Sequence, residues 1–252
     1  MTDVRDIMPG LQVIVCHGVG PENDIYLFQT AEGLVMVDSG WLTQLQTIMD
    51  GLRALGWRPE DLQWIVLTHA HPDHTGAAAG LVQLTGARVA APELDAAIIS
   101  GQQRRWMPPR PLRNFLIQKL GESQGIAYPT DVALWQPPPV RVDRLLHDGD
   151  RLGEWQVIHS PGHTPGNVSL YNARQRALIA GNWLLGMIRP RTPRGPLARL
   201  LRTLTARFVN FEAMAASAQR LAALDFDTLL LSHFDPATFP PVAAALRSRF
   251  SG

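Results

Sequence analysis

His69-Ala70-His71-Pro72-Asp73-His74 is the stretch that decides the fold, and it directly follows an apolar run over residues 64–68. The apolar, β-branched run predicts a buried strand that ends where the polar residues begin. Three imidazoles and a carboxylate within six residues are costly to crowd together unless a cation holds them. They are ligands that zinc accepts, and iron or manganese less exclusively. In an extended loop His69 and His71 point the same way, so we expect both to reach one metal ion. Asp73 and His74 follow as the chain turns into a helix, where they can face a second ion.

Two further stretches complete a recognisable pattern. Val37-Asp38-Ser39-Gly40 lies upstream of the motif and Pro161-Gly162-His163-Thr164-Pro165-Gly166 lies downstream. Together the three stretches resemble the metallo-β-lactamase-fold hydrolase superfamily, over about residues 11–235. The resemblance implies an α/β fold, an αββα sandwich of two mixed β-sheets with helices on the outer faces and a metal site at strand ends. It is specific for fold and metal site, and weak for substrate, because the fold hosts many reactions.

The resemblance also implies a dinuclear site built from side chains that follow strands. One ion would be held by His69, His71 and His163, and the other by Asp73, His74 and His233. Two Zn²⁺ ions are expected, and Fe or Mn is the alternative.

Three other positions bear on this site by resemblance. Asn182 stands where the family usually has an aspartate that bridges the two metals. A neutral amide is a poorer ligand, so we expect lower occupancy of the second ion and reduced activity. Asp38 is expected to orient the ligands through hydrogen bonds without binding the metal, and His159 to hydrogen-bond near the site.

The chemistry that follows is hydrolysis. A bound metal lowers the pKa of water from about 15.7 to about 7, which supplies hydroxide at neutral pH, and Asp73 would orient that nucleophile and take a proton. We therefore predict a hydrolase of an ester, thioester or lactone, with acyl-homoserine-lactone lactonases among the members that share the motif. One alternative is a catalytically weak metal-binding member of the superfamily. The other is an iron-dependent redox member, and Asn182 argues against this second alternative only.

The segment over residues 101–139 differs in composition from the rest of the chain, since it is rich in proline and arginine. We predict one domain over residues 1–252 in which this segment is an insertion that lies over the metal site as a lid. The residues expected to meet substrate are Arg104, Arg105, Trp106 and Met107. The arginines suit a phosphate-bearing or carboxylate substrate, and the apolar pair suits an acyl chain. A surface excursion without function is the alternative.

Bulk composition narrows the function class. The net charge of +1 argues against a nucleic-acid binder, which usually carries a strong basic excess. Cys16 is the only cysteine, so no intramolecular disulfide forms. Neither a secretory signal nor an apolar run of the roughly 18–20 residues that span a bilayer is visible. We expect a cytoplasmic protein that acts on a small molecule without membrane contact, as a monomer or homodimer.

Hydrophobic periodicity and turn residues predict the remaining elements. The expected strands are residues 11–16, 25–29, 34–37, 88–91, 140–146, 155–159, 168–171, 177–179 and 228–232. The expected helices are residues 43–55, 75–84, 92–100, 114–121 and 210–224, with others from 196 and over 240–249.

Overall fold

A computed structural model of the chain describes residues 3–18, 22–105, 131–181 and 209–233, together with 111, 114, 115 and 118. It divides into two compact units, and neither is a single continuous stretch. One unit contains residues 1–91 and 96–145, and the other contains residues 92–95 and 146–252.

The first sheet has seven strands, which lie in the same order in space as in the sequence. They are β1 (Asp3–Met8), β2 (Leu11–Cys16), β3 (Asn23–Thr30), β4 (Gly33–Val37), β5 (Leu62–Val66), β6 (Arg88–Pro92) and β7 (Arg144–Leu146). The strands from β1 to β4 pair antiparallel, whereas β4 pairs parallel with β5, and β5 with β6. The sheet is therefore mixed. Parallel neighbours bring the ends of β4 and β5 to the same edge, which is where Asp38 and the histidine motif follow.

Among the described residues up to 105 there are four α-helices. They are α1 (Leu45–Ala54), α2 (Pro72–Thr75), α3 (Ala78–Thr85) and α4 (Glu93–Ile99). On α1 the buried side chains recur at helical spacing, with Ile48, Met49 and Leu52 facing the core. They join Ile14 and Met36 in one hydrophobic cluster of the first unit. Burial of this apolar face holds α1 against the sheet.

The second sheet has five strands, in the spatial order β12-β11-β10-β9-β8. They are β8 (Arg151–Leu152), β9 (Trp155–His159), β10 (Val168–Asn172), β11 (Ala177–Ile179) and β12 (Thr228–Leu230). Only β11 and β12 pair parallel, so this sheet is mixed as well. Helix α5 (Phe211–Ala222) precedes β12, and Met214, Ala218 and Leu221 bury its apolar face beside Ile158 and Phe226.

Two mixed sheets with helices confirm the predicted fold class. Most elements match their expected bounds, but some expectations were wrong. The sequence pattern missed the two-residue strand β8 and also β1, a strand with exposed charged residues that pairs along β2. The helix expected over residues 75–84 is divided in two: α2 begins at Pro72 and ends after one turn, and α3 begins at Ala78. The strand expected over residues 140–146 is limited to β7.

Other expectations concern residues outside the described part of the chain. They are most of the helix over 114–121 and the helices expected from 196 and over 240–249. The description of a single domain with a lid at 101–139 stays a prediction. In the part of the chain that is described, no helix has both the length and the hydropathy that crossing a bilayer requires.

The buried thiol of Cys16 gives a test of this fold. Burial, together with the nearby charges of Asp24 and Glu22, raises the pKa of Cys16 to about 12. Relative to the ordinary value of 9.0, the thiolate fraction near neutral pH falls by about a thousandfold. We expect a thiol-specific disulfide reagent to leave Cys16 unmodified in native buffer and to modify it completely in denaturant. Rapid modification of the folded protein at pH 8 would contradict the packing of β2.

Candidate metal centre

The motif begins beyond the end of β5 and continues into the single turn of α2. His71 is the last extended residue before α2, with φ −72° and ψ 149°. Pro72 then takes the first helical position, where its fixed φ is compatible with a helix and its missing N–H is not needed. The chain thus changes from extended to helical in the middle of the motif. As a result, His69 and His71 are presented by an extended segment, and Asp73 and His74 by a helical one.

These four side chains lie close together. The ring centroids of His69 and His71 are 4.7 Å apart, and those of His69 and His74 are 4.0 Å apart. His74 Nε2 lies 3.6 Å from Asp73 Oδ2. The ligand atoms of His69 and His71 are within 4.8 Å of each other, as are those of Asp73 and His74. The rings of His69 and His74 are buried, whereas His71 and Asp73 are partly exposed.

Asp38 connects the end of β4 to this cluster. Its carboxylate lies 2.7 Å from Nδ1 of His74 and accepts hydrogen bonds from the backbone N–H of Thr68 at 2.8 Å and from the Thr68 hydroxyl at 2.9 Å. The residue is 1% exposed, and its φ of 64° places it in the left-handed region, where non-glycine residues are uncommon. The surrounding contacts thus hold a backbone conformation that costs of order 1–3 kcal/mol.

Thr68 links Asp38 to His69. Its hydroxyl has one proton, which it donates to Asp38, so its oxygen is left to accept a hydrogen bond from Nδ1 of His69 at 3.0 Å. Asp38 in turn accepts from Nδ1 of His74. Both imidazoles therefore carry their proton on Nδ1, and Nε2 is the atom that can bind a metal.

The electrostatics of His74 reflect this arrangement. Burial alone would lower its pKa. The charges of Asp38 and Asp73 and the hydrogen bond to Asp38 outweigh burial and raise the pKa of His74 above its ordinary value, while the positive charge of Arg105 acts downward. Arg105 is thus within electrostatic reach of the motif.

A backbone turn after β4 holds α2 in place. Ser39 donates its N–H and its hydroxyl to the carbonyl of His74, both at 2.8 Å, and Gly76 donates its N–H to the carbonyl of Gly40 at 2.9 Å. At Gly76 a Cβ atom would lie 2.3 Å from the backbone nitrogen of Leu42. Only glycine permits this approach, which brings the turn and α2 into contact.

His163 lies in the second unit, in a loop between β9 and β10 that is bonded on several sides. Asn210 donates its N–H to the carbonyl of Gly162 at 2.7 Å, and Ser217 donates its hydroxyl to the carbonyl of Pro161 at 2.8 Å. Asn167 donates its amide to the carbonyl of Ser160 at 3.1 Å, which closes the base of the loop.

The other side of this loop is held by Asp95, from α4. Its buried carboxylate accepts a hydrogen bond from the Thr164 hydroxyl at 2.7 Å and from the N–H of Gly166 at 3.0 Å. These bonds fix the residues on either side of Pro165, two positions from His163. Asp95 therefore helps to present His163 without itself being part of the motif.

Some of the remaining predicted site residues are described by the structure, and others are not. His159 ends β9, and its Nε2 lies 2.9 Å from the carbonyl oxygen of Pro165, so it contacts the His163 loop. His233 follows β12 and is partly exposed. Arg104 is exposed and Arg105 is partly buried. Asn182, Trp106 and Met107 lie outside the described residues.

Thr68 and Asp95 were missed by the sequence analysis. Thr68 is adjacent to the motif, and a hydroxyl beside a ligand histidine is a signal that could have identified it. Asp95 lies 69 residues from Thr164 in the sequence, and no local pattern distinguishes it from a polar residue in the first turn of a helix.

Comparison with known proteins places this fold and cluster in a family. The sequence model of the metallo-beta-lactamase superfamily matches residues 18–233. The chain therefore belongs to the metallo-beta-lactamase superfamily, as the motif predicted, and so to a superfamily of metallohydrolases.

Particular relatives and structures agree with this assignment. A probable metallo-hydrolase of Bacillus subtilis, YflN, is 26% identical over 226 residues, 85% of this chain and 80% of that protein. The acyl-coenzyme A thioesterase MBLAC2 of Gallus gallus is 29% identical over 187 residues, which are 65% of this chain. The match covers 58% of the thioesterase, less than two thirds of its length. The structure of a metallo-beta-lactamase from Cronobacter sakazakii has a TM-score of 0.63 at 25% identity, covering 99% of this chain and 96% of that one.

The donor set fits a divalent metal ion of the kind that this fold binds. Imidazole nitrogen and carboxylate oxygen are the ligands that zinc accepts, and the Nδ1 bonds of His69 and His74 direct their Nε2 atoms toward that role. The cluster is therefore a candidate centre for a divalent metal.

The Asp38 network generates a test. In Asp38→Asn the side chain keeps its size, and asparagine tolerates a left-handed backbone, but the negative charge facing His74 is lost. We expect the affinity for zinc to fall by about 10- to 100-fold, as removal of such hydrogen-bond partners does elsewhere. Competition with a chromophoric chelator measures this affinity. Asp50→Asn, on the exposed face of α1, is the matched control, and equal affinity in both variants would show that Asp38 does not orient the ligands.

Asp95 generates a second test. In Asp95→Asn both hydrogen bonds to the His163 loop lose their charged acceptor, and the Thr164 hydroxyl must accept from the amide instead of donating, so we expect a loss of about 1–3 kcal/mol of unfolding free energy. Thr164→Ser, which keeps the hydroxyl, should lose much less. Urea denaturation measures both, and hydrogen exchange at Gly166 locates the effect. An Asp95→Asn protein as stable as the parent would mean that these bonds do not hold the loop.

Proposed function

We propose that the chain is a zinc-dependent hydrolase of an ester, thioester or lactone. The observation that carries this proposal is the cluster of His69, His71, Asp73 and His74, with Asp38 and Thr68 fixing two of its imidazoles. Such a network is what orients histidines for metal binding and is more than a structural histidine requires. The superfamily of metallohydrolases supports the reaction type.

We propose two ligand sets. His163 would join His69 and His71, and His233 would join Asp73 and His74. Asn182 would then occupy the position between the ions. Because an amide adds no charge there, we expect the set with Asp73 to hold its ion more weakly.

The chain's own residues carry several steps of the reaction. A divalent metal, when bound, acidifies water and polarises a carbonyl. The carboxylate of Asp73, which is 13% exposed, would orient an attacking water and accept its proton. Asp38 and Thr68 keep the imidazoles of His74 and His69 from rotating, so the ligands need no reorganisation when the ion binds.

Two observations, the name of one relative and the charge of Arg105, support this substrate class. The thioesterase named among the relatives acts on acyl-coenzyme A compounds, and a thioester, an ester and a lactone share the carbonyl that such a site attacks. Arg105 adds a positive charge near the motif, which suits a substrate that carries an anionic group.

The test begins with the metal. We expect purified protein grown with zinc to contain at least one zinc ion per chain and His71→Ala to lose most of it. The same substitution should lower the hydrolytic rate on a panel of esters, thioesters and lactones by at least about a hundredfold. Elemental analysis and kcat/KM measure the two effects. His17→Ala, whose ring is 60% exposed and pairs with Glu22, is the matched control. A metal-free parent protein, or a His71→Ala protein with full activity, would refute the proposal.

A further inference from the structure

The first unit contains a cavity of about 420 Å³ next to the histidine motif. This volume lies within the range of about 300–1,000 Å³ that small-molecule sites occupy. Thr75 forms part of its wall, and the Thr75 hydroxyl donates a hydrogen bond to the carbonyl of His71 at 3.0 Å. One side of the cavity is thus continuous with the segment that carries the candidate ligands.

About half of the cavity wall is apolar, and this apolar part is held in place. Ile98 and Ile99 of α4 face Trp135 and the prolines at 137–139. Trp135 packs edge-on against the buried Trp41, with ring centroids 5.5 Å apart. Val140 donates its N–H to the carbonyl of Ile99 at 3.1 Å, which joins the two walls. A flat indole and three prolines form a rigid surface that an alkyl chain can contact at little entropic cost.

The charged residues described in the cavity wall are both basic. Arg104 and Arg105 line it, and among its described lining residues there is neither an aspartate nor a glutamate. Arg104 is exposed, whereas Arg105 is partly buried and one nitrogen of its guanidinium group is shielded from solvent. A shielded guanidinium group binds a carboxylate or phosphate more strongly than an exposed one, and it can do so through two parallel hydrogen bonds.

We propose that this cavity is a binding subsite for an apolar chain that ends in a carboxylate or a phosphate, with Arg105 receiving the anionic group. The proposal rests on the proposed function in one respect, namely that the cleavable carbonyl lies toward Thr75 and the histidines. It narrows the substrate class to esters, thioesters or lactones that carry a negative charge at the end of an apolar arm. Neutral substrates of the same length contact the apolar wall but offer no negative charge to Arg105.

Binding is measured first, because it does not depend on turnover. Octanoate, octyl phosphate and octanamide each have eight carbon atoms and differ in the head group. Octanamide is the neutral isostere of octanoate. Calorimetry on the metal-loaded protein should show that at least one of the two anions binds about tenfold or more tightly than octanamide. The stronger of the two anions identifies the head group.

Variants assign this preference to the cavity. In Arg105→Met the affinity for the anions should fall by about 10- to 100-fold, to the level of octanamide, while the affinity for octanamide changes by less than about twofold. Arg105→Lys keeps a charge without the planar fork and should be intermediate, which separates lost recognition from lost folding. Arg53→Met, on the exposed face of α1 and paired with Asp50 at 2.8 Å, is the matched control and should bind like the parent.

The remaining outcomes overturn the proposal. If octanamide binds as tightly as both anions, the cavity has no anionic specificity. If His71→Ala abolishes anion binding and Arg105→Met does not, the anions bind at the metal ions and the cavity is not their site.

A matched pair of esters connects the subsite with turnover. The para-nitrophenyl ester of hexanoic acid and the mono-para-nitrophenyl ester of adipic acid have the same chain length, and only the second ends in a carboxylate. Arg105→Met should lower kcat/KM for the adipate ester by at least about tenfold and leave the hexanoate ester within about twofold. If neither ester is hydrolysed by the parent protein while Arg105 still governs anion binding, the proposed function fails and the subsite stands.

Discussion

The buried carboxylate of Asp38 forms the contact on which the other parts of the candidate centre depend. It joins three separate pieces of the first unit, namely the end of β4, the Thr68 backbone after β5 and the ring of His74 on α2. A buried carboxylate is costly unless it is well hydrogen-bonded, and here the N–H of Thr68, its hydroxyl and an imidazole satisfy it. Because the same bonds decide which nitrogen of His69 and His74 is protonated, they determine both the local fold and which imidazole nitrogen is available as a metal ligand.

The sequence predicted the parts of this arrangement that depend on local pattern. The apolar run before the motif lies in β5, and Asp38 was placed beside the ligands by resemblance to the superfamily. Other parts depend on distant partners. Asp95 acquires its role from Thr164 and Gly166, and β1, with exposed Arg5 and Asp6, becomes a strand only because β2 offers an edge to pair with. The early start of α2 was readable from Pro72, a favoured first helical residue, and the periodicity argument overlooked it.

The segments that carry the candidate ligands are held by different contacts in the two units. In the first, Ser39 and Gly76 hold the backbone of α2, while the carboxylate of Asp38 fixes the ring of His74. In the second, the loop with His163 is held from two sides by side chains, those of Asp95 and Ser217 among them. Substitutions of Asp95 or Ser217 are therefore expected to alter the second loop, and substitutions of Asp38 or Gly76 the first.

The distance along the chain between Asp95 and its partners also sets an order of events during synthesis. Asp95 leaves the ribosome 69 residues before Thr164 and 71 before Gly166. At a synthesis rate of about 5–20 residues per second, several seconds pass between the synthesis of Asp95 and that of its two hydrogen-bond donors. Throughout that interval the segment with Asp95 has to remain hydrated, since it cannot take up its buried position without them. The His163 loop can thus take up its final position only after Thr164 and Gly166 have been synthesised, later than strands β1 to β6.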